Sequence, residues 1–213
     1  MKFRTTVRVK VRNALIGLFL AFSFVVDAQD TALLSRFYKE IAQSCVEMTY
    51  SYSIRVSGVN NVGSGDLCAQ GLMWKMVGNG VQMYCDSTAV WVLDPSLKEV
   101  VIEPSYGDTR ILTNPASLFV RMEELFKVRE SRATGDSAAV LCVLEPKEKG
   151  DIDYFNVEIV SSDLSIRNAS FALKDGTFIK IEVSSMKLTP MRPVEEFRPQ
   201  TVFDSSWIVT DLR

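Results

Sequence analysis

The chemically useful side chains in this 213-residue sequence are sulfur and aromatic ones, because the chain contains no histidine. That absence removes Ser-His and Cys-His nucleophilic schemes and most catalytic metal sites. The adjacent acids Glu123-Glu124 and Glu195-Glu196 read as solvated faces, since neighbouring helix positions do not face each other. Asp151 and Asp153 follow Gly150 in a predicted loop, without the further oxygen ligands that calcium needs. Asn168-Ala169-Ser170 fits a glycosylation sequon, a tripeptide common by chance. Cys45, Cys68, Cys85 and Cys142 show no CxxC spacing, which argues against a thiol oxidoreductase or a zinc site. Four cysteines allow three complete pairings that sequence does not distinguish, and the apolar alternating runs around Cys85 and Cys142 favour mostly reduced, buried thiols. The expectation is a binding protein: no enzyme, no cofactor, no metal.

The densest apolar chemistry lies between Gly63-Ser-Gly-Asp-Leu67 and Trp91-Val-Leu-Asp-Pro95, which reads as two successive hairpins. Asn79-Gly80 predicts a two-residue type I′ turn, whose central residues both need positive φ. With those loop residues, Met76 faces Met83, Trp74 faces Cys85 and Leu72 shares their face, while Lys75, Gln82 and Tyr84 fall on the other. One face is therefore apolar and sulfur-rich.

The elements that position these residues are mostly strands. Leu33, Leu34, Phe37 and Ile41 form a helical stripe over 31–44, with Asp30 or Thr31 able to cap it. Strand character follows from Met48 to Ser57, through the two hairpins, and over Lys98–Ile102. A second helix is predicted from Asn114-Pro115, with Leu118, Phe119, Met122, Leu125 and Phe126 on its apolar side. Strands return at Ala138–Leu144, Tyr154–Ser161, Leu164–Leu173 and Thr177–Leu188. Phe155, Val157 and Ile159 alternate with Asn156 and Glu158. A three-residue Lys174-Asp175-Gly176 loop sets Phe171 opposite Ile179 and Ala169 opposite Ile181, keeping apolar residues on one face. The segment from Glu196 to Arg213 also looks structured. The predicted class is mainly β with a few helices: a strongly curved antiparallel sheet, an incomplete barrel with a helical lid.

The N-terminal residues Lys2, Arg4, Arg8, Lys10 and Arg12 precede a 13-residue apolar run, Ala14–Val26, and then Asp27-Ala28. This is a signal-peptide pattern with cleavage expected after Ala28, leaving residues 29–213 as one domain. The run is short of the ~20 residues that span a bilayer. No cysteine follows it closely enough for lipidation. Removal of residues 1–28 takes away five basic residues and one acidic residue from the 24 and 26 of the whole chain, leaving a net charge near −6. Sequence-independent nucleic-acid binding needs the opposite balance.

Several of these residues together resemble the LolA family of periplasmic outer-membrane lipoprotein carriers. The matching pieces are Gly63-Ser-Gly-Asp-Leu67, Trp74 and Met76, Asp86 followed five residues later by Trp91, Asp94-Pro95, and Asn114-Pro115-Ala-Ser-Leu118. The resemblance is specific over residues 63–118. It implies an incomplete, strongly curved β-barrel with helices as a lid over a hydrophobic cavity that takes up acyl chains. It further implies a monomeric periplasmic carrier of acylated lipoproteins, served by an inner-membrane lipoprotein-releasing transporter and an outer-membrane acceptor. A LolA-like module that senses lipid or lipoprotein and regulates an envelope partner is the alternative. Two departures stand out: Ser87 replaces the family's glycine, and Ala69-Gln70-Gly71 stands where the family has a basic residue before a proline that hydrogen-bonds to the lid. The expected acyl-binding residues are Leu72, Trp74, Met76, Met83, Phe155, Val157, Ile159 and Ile179, with Phe119, Met122 and Phe126 at the lid and Trp91 added by resemblance. Leu72 aligns with a bulky apolar position near the family's cavity rim.

Overall fold

The computed structural model describes residues 28–105, 119, 121–135 and 138–213. The expected signal peptide up to position 27, and Asn114, Pro115 and Leu118 of the expected second helix, lie outside the described residues. Helix α1 (Ala28–Ala42) is followed by β1 (Cys45–Val56), β2 (Val59–Gln70), β3 (Met73–Gly78), β4 (Val81–Asp86), β5 (Ala89–Asp94) and β6 (Glu99–Pro104). The short helix α2 (Met122–Leu125) then leads into β7 (Phe126–Ala133), β8 (Ala139–Pro146), β9 (Ile152–Val160), β10 (Ile166–Leu173) and β11 (Phe178–Thr189). A 3-10 turn (Val194–Phe197) and β12 (Ile208–Asp211) follow.

The twelve strands of the described residues belong to one open, curved sheet in the order β12-β6-β5-β4-β3-β2-β1-β11-β10-β9-β8-β7. The neighbours pair antiparallel except β12 and β6, which run parallel. Local turn chemistry sets most of the registers. Asn79 and Gly80 both have positive φ, 51° and 81°, and Met76 pairs with Met83 and Trp74 with Cys85, as the type I′ turn requires. The β10–β11 connection is the three-residue loop with Gly176 at φ 87°, so Phe171 pairs with Ile179 and Ala169 with Ile181. Slipping either loop by one residue would turn a whole strand's apolar set toward the other face.

The Gly63-Ser-Gly-Asp segment lies inside β2. Gly63 and Gly65 sit opposite Tyr52 and Tyr50 of β1. A Cβ on Gly63 would lie 2.6 Å from the Tyr52 ring and 2.3 Å from Asn79 Nδ2, where Asn79 donates a 2.6 Å hydrogen bond to the Tyr52 hydroxyl. The glycine is there because two polar ends meet above its Cα.

Two boundaries depart from the sequence reading. Helix α1 begins at Ala28, so Asp30 and Thr31 fall within its first turn and not at its cap. Phe126 opens strand β7 and is not part of the preceding helix, which ends at Leu125. Strand β7 was invisible to periodicity because its side chains Lys127, Arg129, Glu130 and Arg132 are those of a sheet edge, where charge replaces alternation. No helix of the described residues is long and apolar enough to cross a membrane.

Candidate functional site

Strand alternation sorts the side chains onto two faces of the sheet. Val46 and Met48 of β1, Leu67 and Ala69 of β2, Trp74 of β3 and Cys85 of β4 join Cys142 and Leu144 of β8, Phe155, Val157 and Ile159 of β9, and Phe171 of β10 in one buried apolar layer. Helix α1 contributes Leu33, Leu34, Phe37 and Ile41 to that layer, and Phe119 and Met122 join it next to Phe126. Met76, Met83 and Ile179 pack against it half-buried. Phe155 is the hub, with its ring centroid 6.3 Å from Phe119, 5.3 Å from Phe126 and 6.2 Å from Phe171.

Ten of the twelve expected residues therefore meet in one layer: Trp74, Met76, Met83, Phe119, Met122, Phe126, Phe155, Val157, Ile159 and Ile179. Leu72 does not join the buried part. It occupies the turn between β2 and β3, 47% exposed, and its carbonyl accepts a hydrogen bond from the Cys85 thiol. Trp91 is on the other face. It pairs with Tyr84 and Ile102, across the sheet from Trp74, and packs with Ala89, Leu93 and Val100 in a separate cluster. The reason is the turn between β4 and β5: with Ser87 and Thr88 as its two residues, Cys85 pairs with Val90, which puts Val90 on the face of Trp74 and Trp91 on the opposite one.

That turn is built around Asp86. Its Oδ1 accepts from Thr88 N at 2.9 Å, Thr88 Oγ1 at 2.7 Å and Ala89 N at 3.0 Å, and its Oδ2 accepts from Arg198 Nε at 2.7 Å. Burial pushes the carboxyl upward, but these hydrogen bonds outweigh it and hold Asp86 at about 2. Ser87 adopts φ 77°, a position where a glycine is comfortable and serine is strained. The missing glycine of the sequence resemblance thus has a physical cost and an anchor that offsets it.

The polar inventory of the apolar layer is small. The indole Nε1 of Trp74 is buried without a hydrogen-bond partner, although the residue is only 3% exposed. Tyr38 of α1 is half-buried against the layer, and burial there pushes its phenol far above the ordinary range. Among the described residues, no side-chain hydrogen bond or ion pair joins α1 to the sheet. Gln70 points to the opposite face, where its amide bonds reciprocally with the backbone of Arg192 at 2.7 Å in both directions.

Sequence reasoning missed what lies on that opposite, outer face. Residues 190–213 form a strap that runs from the end of β11 across the outer side of β1–β6. Arg192 pairs with Glu47 and Glu196, Phe197 is fully buried against Cys45 and Cys68, and Arg198 holds Asp86. Phe203 and Trp207 cover the cluster containing Trp91, and β12 then pairs with β6. Next to the strap a groove of about 420 Å³ is lined by Glu47, Thr49, Asp66, Lys75, Lys187 and Arg192, among others.

No family model and no curated protein sequence matches the chain. Among solved structures it is similar to an uncharacterized conserved protein from Thermus thermophilus, with a TM-score of 0.53 at 11% identity, over 86% of this chain and 99% of that one. It is also similar to a LolA superfamily protein from Nitrosomonas europaea, with a TM-score of 0.42 at 11% identity, over 79% of this chain and 97% of that one. The MucA/MucB complex structure from Pseudomonas aeruginosa gives a TM-score of 0.34 at 8% identity, over 81% of this chain and 61% of that one. At these identities the likeness is one of fold.

Proposed function

We propose that this protein is an exported carrier of the cell envelope that binds the acyl chains of lipoproteins between its curved sheet and α1, and moves them through water from the inner to the outer membrane. The observation that carries this reading is the apolar layer itself, which is continuous from α1 across β1–β4 to β8–β11 and is bordered by the adaptable side chains Met76 and Met83. Each methylene withdrawn from water contributes ~0.8 kcal/mol, so an acylated protein in transit needs such a shelter. The absence of polar links between α1 and the sheet, among the described residues, suits a helix that lifts to admit a chain and settles back. The unpartnered Trp74 N–H offers a hydrogen bond to an acyl ester carbonyl within an otherwise apolar surrounding. The sequence resemblance over residues 63–118 points the same way.

Leu72 tests the reading. Its exposed position at the end of the β2–β3 hairpin lets a charge reach water, so Leu72→Glu should leave the thermal transition unchanged while opposing entry of hydrocarbon at the rim. The measurement is release of an acylated lipoprotein from inner-membrane vesicles by wild-type and variant protein. Full release by a normally folded Leu72→Glu protein would count against the carrier role.

A second reading is a sensory module that binds lipid and reports to an envelope protein. The outer groove favours it, because Glu47, Asp66, Lys75, Lys187 and Arg192 offer charges of both signs to a protein partner on the face of the sheet opposite the apolar layer. A native pull-down separates the two: a stoichiometric protein partner retained in the absence of lipid fits the sensor, and lipoprotein cargo alone fits the carrier.

A further inference from the structure

We propose that Cys45 and Cys68 are the protein's one disulfide, a cross-link between β1 and β2 sealed beneath the C-terminal strap. Both side chains are on the outer face of adjacent antiparallel strands, where Cys68 pairs with Glu47 and Cys45 is its diagonal neighbour. Their sulfur atoms are in contact at 2.8 Å, and both residues are buried. The sheet itself rules on the alternatives. Cys85 and Cys142 belong to the apolar layer of the opposite face, so neither can reach Cys45 or Cys68 without passing through a strand. Cys85 and Cys142 are on strands with six others between them, and the Cys85 sulfur meets Leu72 O at 3.5 Å and Ser105 Oγ at 3.7 Å. Of the three complete pairings open to four cysteines, none is needed in full.

The environment suits one sulfur as attacking group. The hydrogen bond from Cys68 and the nearby Arg192 guanidinium hold the Cys45 thiol below its usual range, while that same bond and burial push Cys68 up. Oxidation proceeds by exchange with an external disulfide. The Cys45 thiolate attacks one sulfur of the donor, forming a mixed disulfide and releasing the first donor thiol. Cys68, losing its proton, then attacks Cys45 Sγ and releases the second donor thiol. Two protons and two electrons leave the protein, and one donor disulfide becomes two thiols. Phe197 lies fully buried over this pair, packed with Met73, so exchange belongs to the stage before the strap docks. The inference needs only a disulfide donor; export would supply one in the cell, but the test in vitro does not depend on it.

The test uses full-length mature protein refolded in a mixture of oxidised and reduced glutathione, then unfolded, alkylated and mapped by mass spectrometry. The expected result is a single linked peptide pair containing Cys45 and Cys68, with Cys85 and Cys142 alkylated. Four alkylated thiols, or any linkage that includes Cys85 or Cys142, would overturn the proposal. Reduction of the oxidised protein should lower its thermal midpoint by roughly 5–10 °C, for a closed loop of this length. The same reductant should leave a Cys45→Ala/Cys68→Ala double variant unmoved; an equal drop in that variant would also count against the cross-link.

Discussion

At the scale of single residues, Asp86 and Ser87 carry opposite contributions within one turn. Ser87→Gly should relieve the positive φ and stabilise the fold by about 0.5 to 1 kcal/mol, read as a higher denaturant midpoint with unchanged slope. Asp86→Asn should cost about 2 kcal/mol at neutral pH, because the buried carboxylate holds three donors of its own turn as well as Arg198. The pH dependence has a definite sign. The folded carboxyl titrates at about 2 against 3.8 without these contacts, so its contribution is present above the higher value and is lost as the pH falls through the lower one. Wild-type and Asp86→Asn stabilities should therefore converge between ~pH 4 and ~pH 2. Asp94, Asp163, Asp175 and Asp204 are also lowered by their own turns, and the difference between the two proteins cancels them. Trp74 makes a separate prediction. Trp74→Phe removes an unpaired buried donor and should cost little stability beyond lost contact area, about 1 kcal/mol, yet weaken binding of a diacylated peptide about tenfold in a displacement assay. Equal affinity in the two proteins would show that the indole N–H meets no ligand carbonyl.

At the scale of elements, the strap holds the outer face together from a distance. Phe197→Ala should destabilise by about 3 to 5 kcal/mol, because the ring is fully buried on Cys45 and Cys68 and the hydrogen-bonded segment around it cannot collapse into the void. Trp207, half-buried at the end of the strap, should matter less, and urea titration of both variants gives the comparison. This division also explains what could be read from the chain alone. The hairpin at Asn79-Gly80 and the bulged loop at Gly176 were legible because their turn residues dictate φ, and φ with loop length dictates register. Trp91 was misplaced because its face depends on how many residues the Asp86-Ser87 turn consumes, and a serine at position 87 does not dictate that length as a glycine would. The strap was unreadable for another reason. Gln70 meets Arg192, and Asp86 meets Arg198, across more than a hundred residues of sequence, and no period or motif encodes such pairings. Leu72 lies between these cases: its apolar character is plain in the sequence, but its position in a turn and not in a strand is set by where β2 stops.

At the scale of the whole molecule, an open twelve-stranded sheet has two edges, and they are protected differently. Strand β7 presents Lys127, Arg129, Glu130 and Arg132, which discourage pairing with another copy. Replacing Arg129 and Arg132 with Val should make the mass read by light scattering rise with concentration more steeply than that of the wild-type protein. The opposite edge is finished by β12, whose Ile208 N donates to Lys98 O at 2.8 Å. This pairing has a consequence in time. Delivered from N-terminus to C-terminus, the chain completes β1–β6 roughly a hundred residues before the segment that covers their outer face exists. For that interval Leu93 and Val100, both fully buried at the end, are open to any neighbour, and so is the sulfur pair at Cys45 and Cys68. The segment carrying Phe197, Phe203 and Trp207 is therefore what ends the exposure of that outer face, and it reaches the sheet only well after the strands it covers have been made.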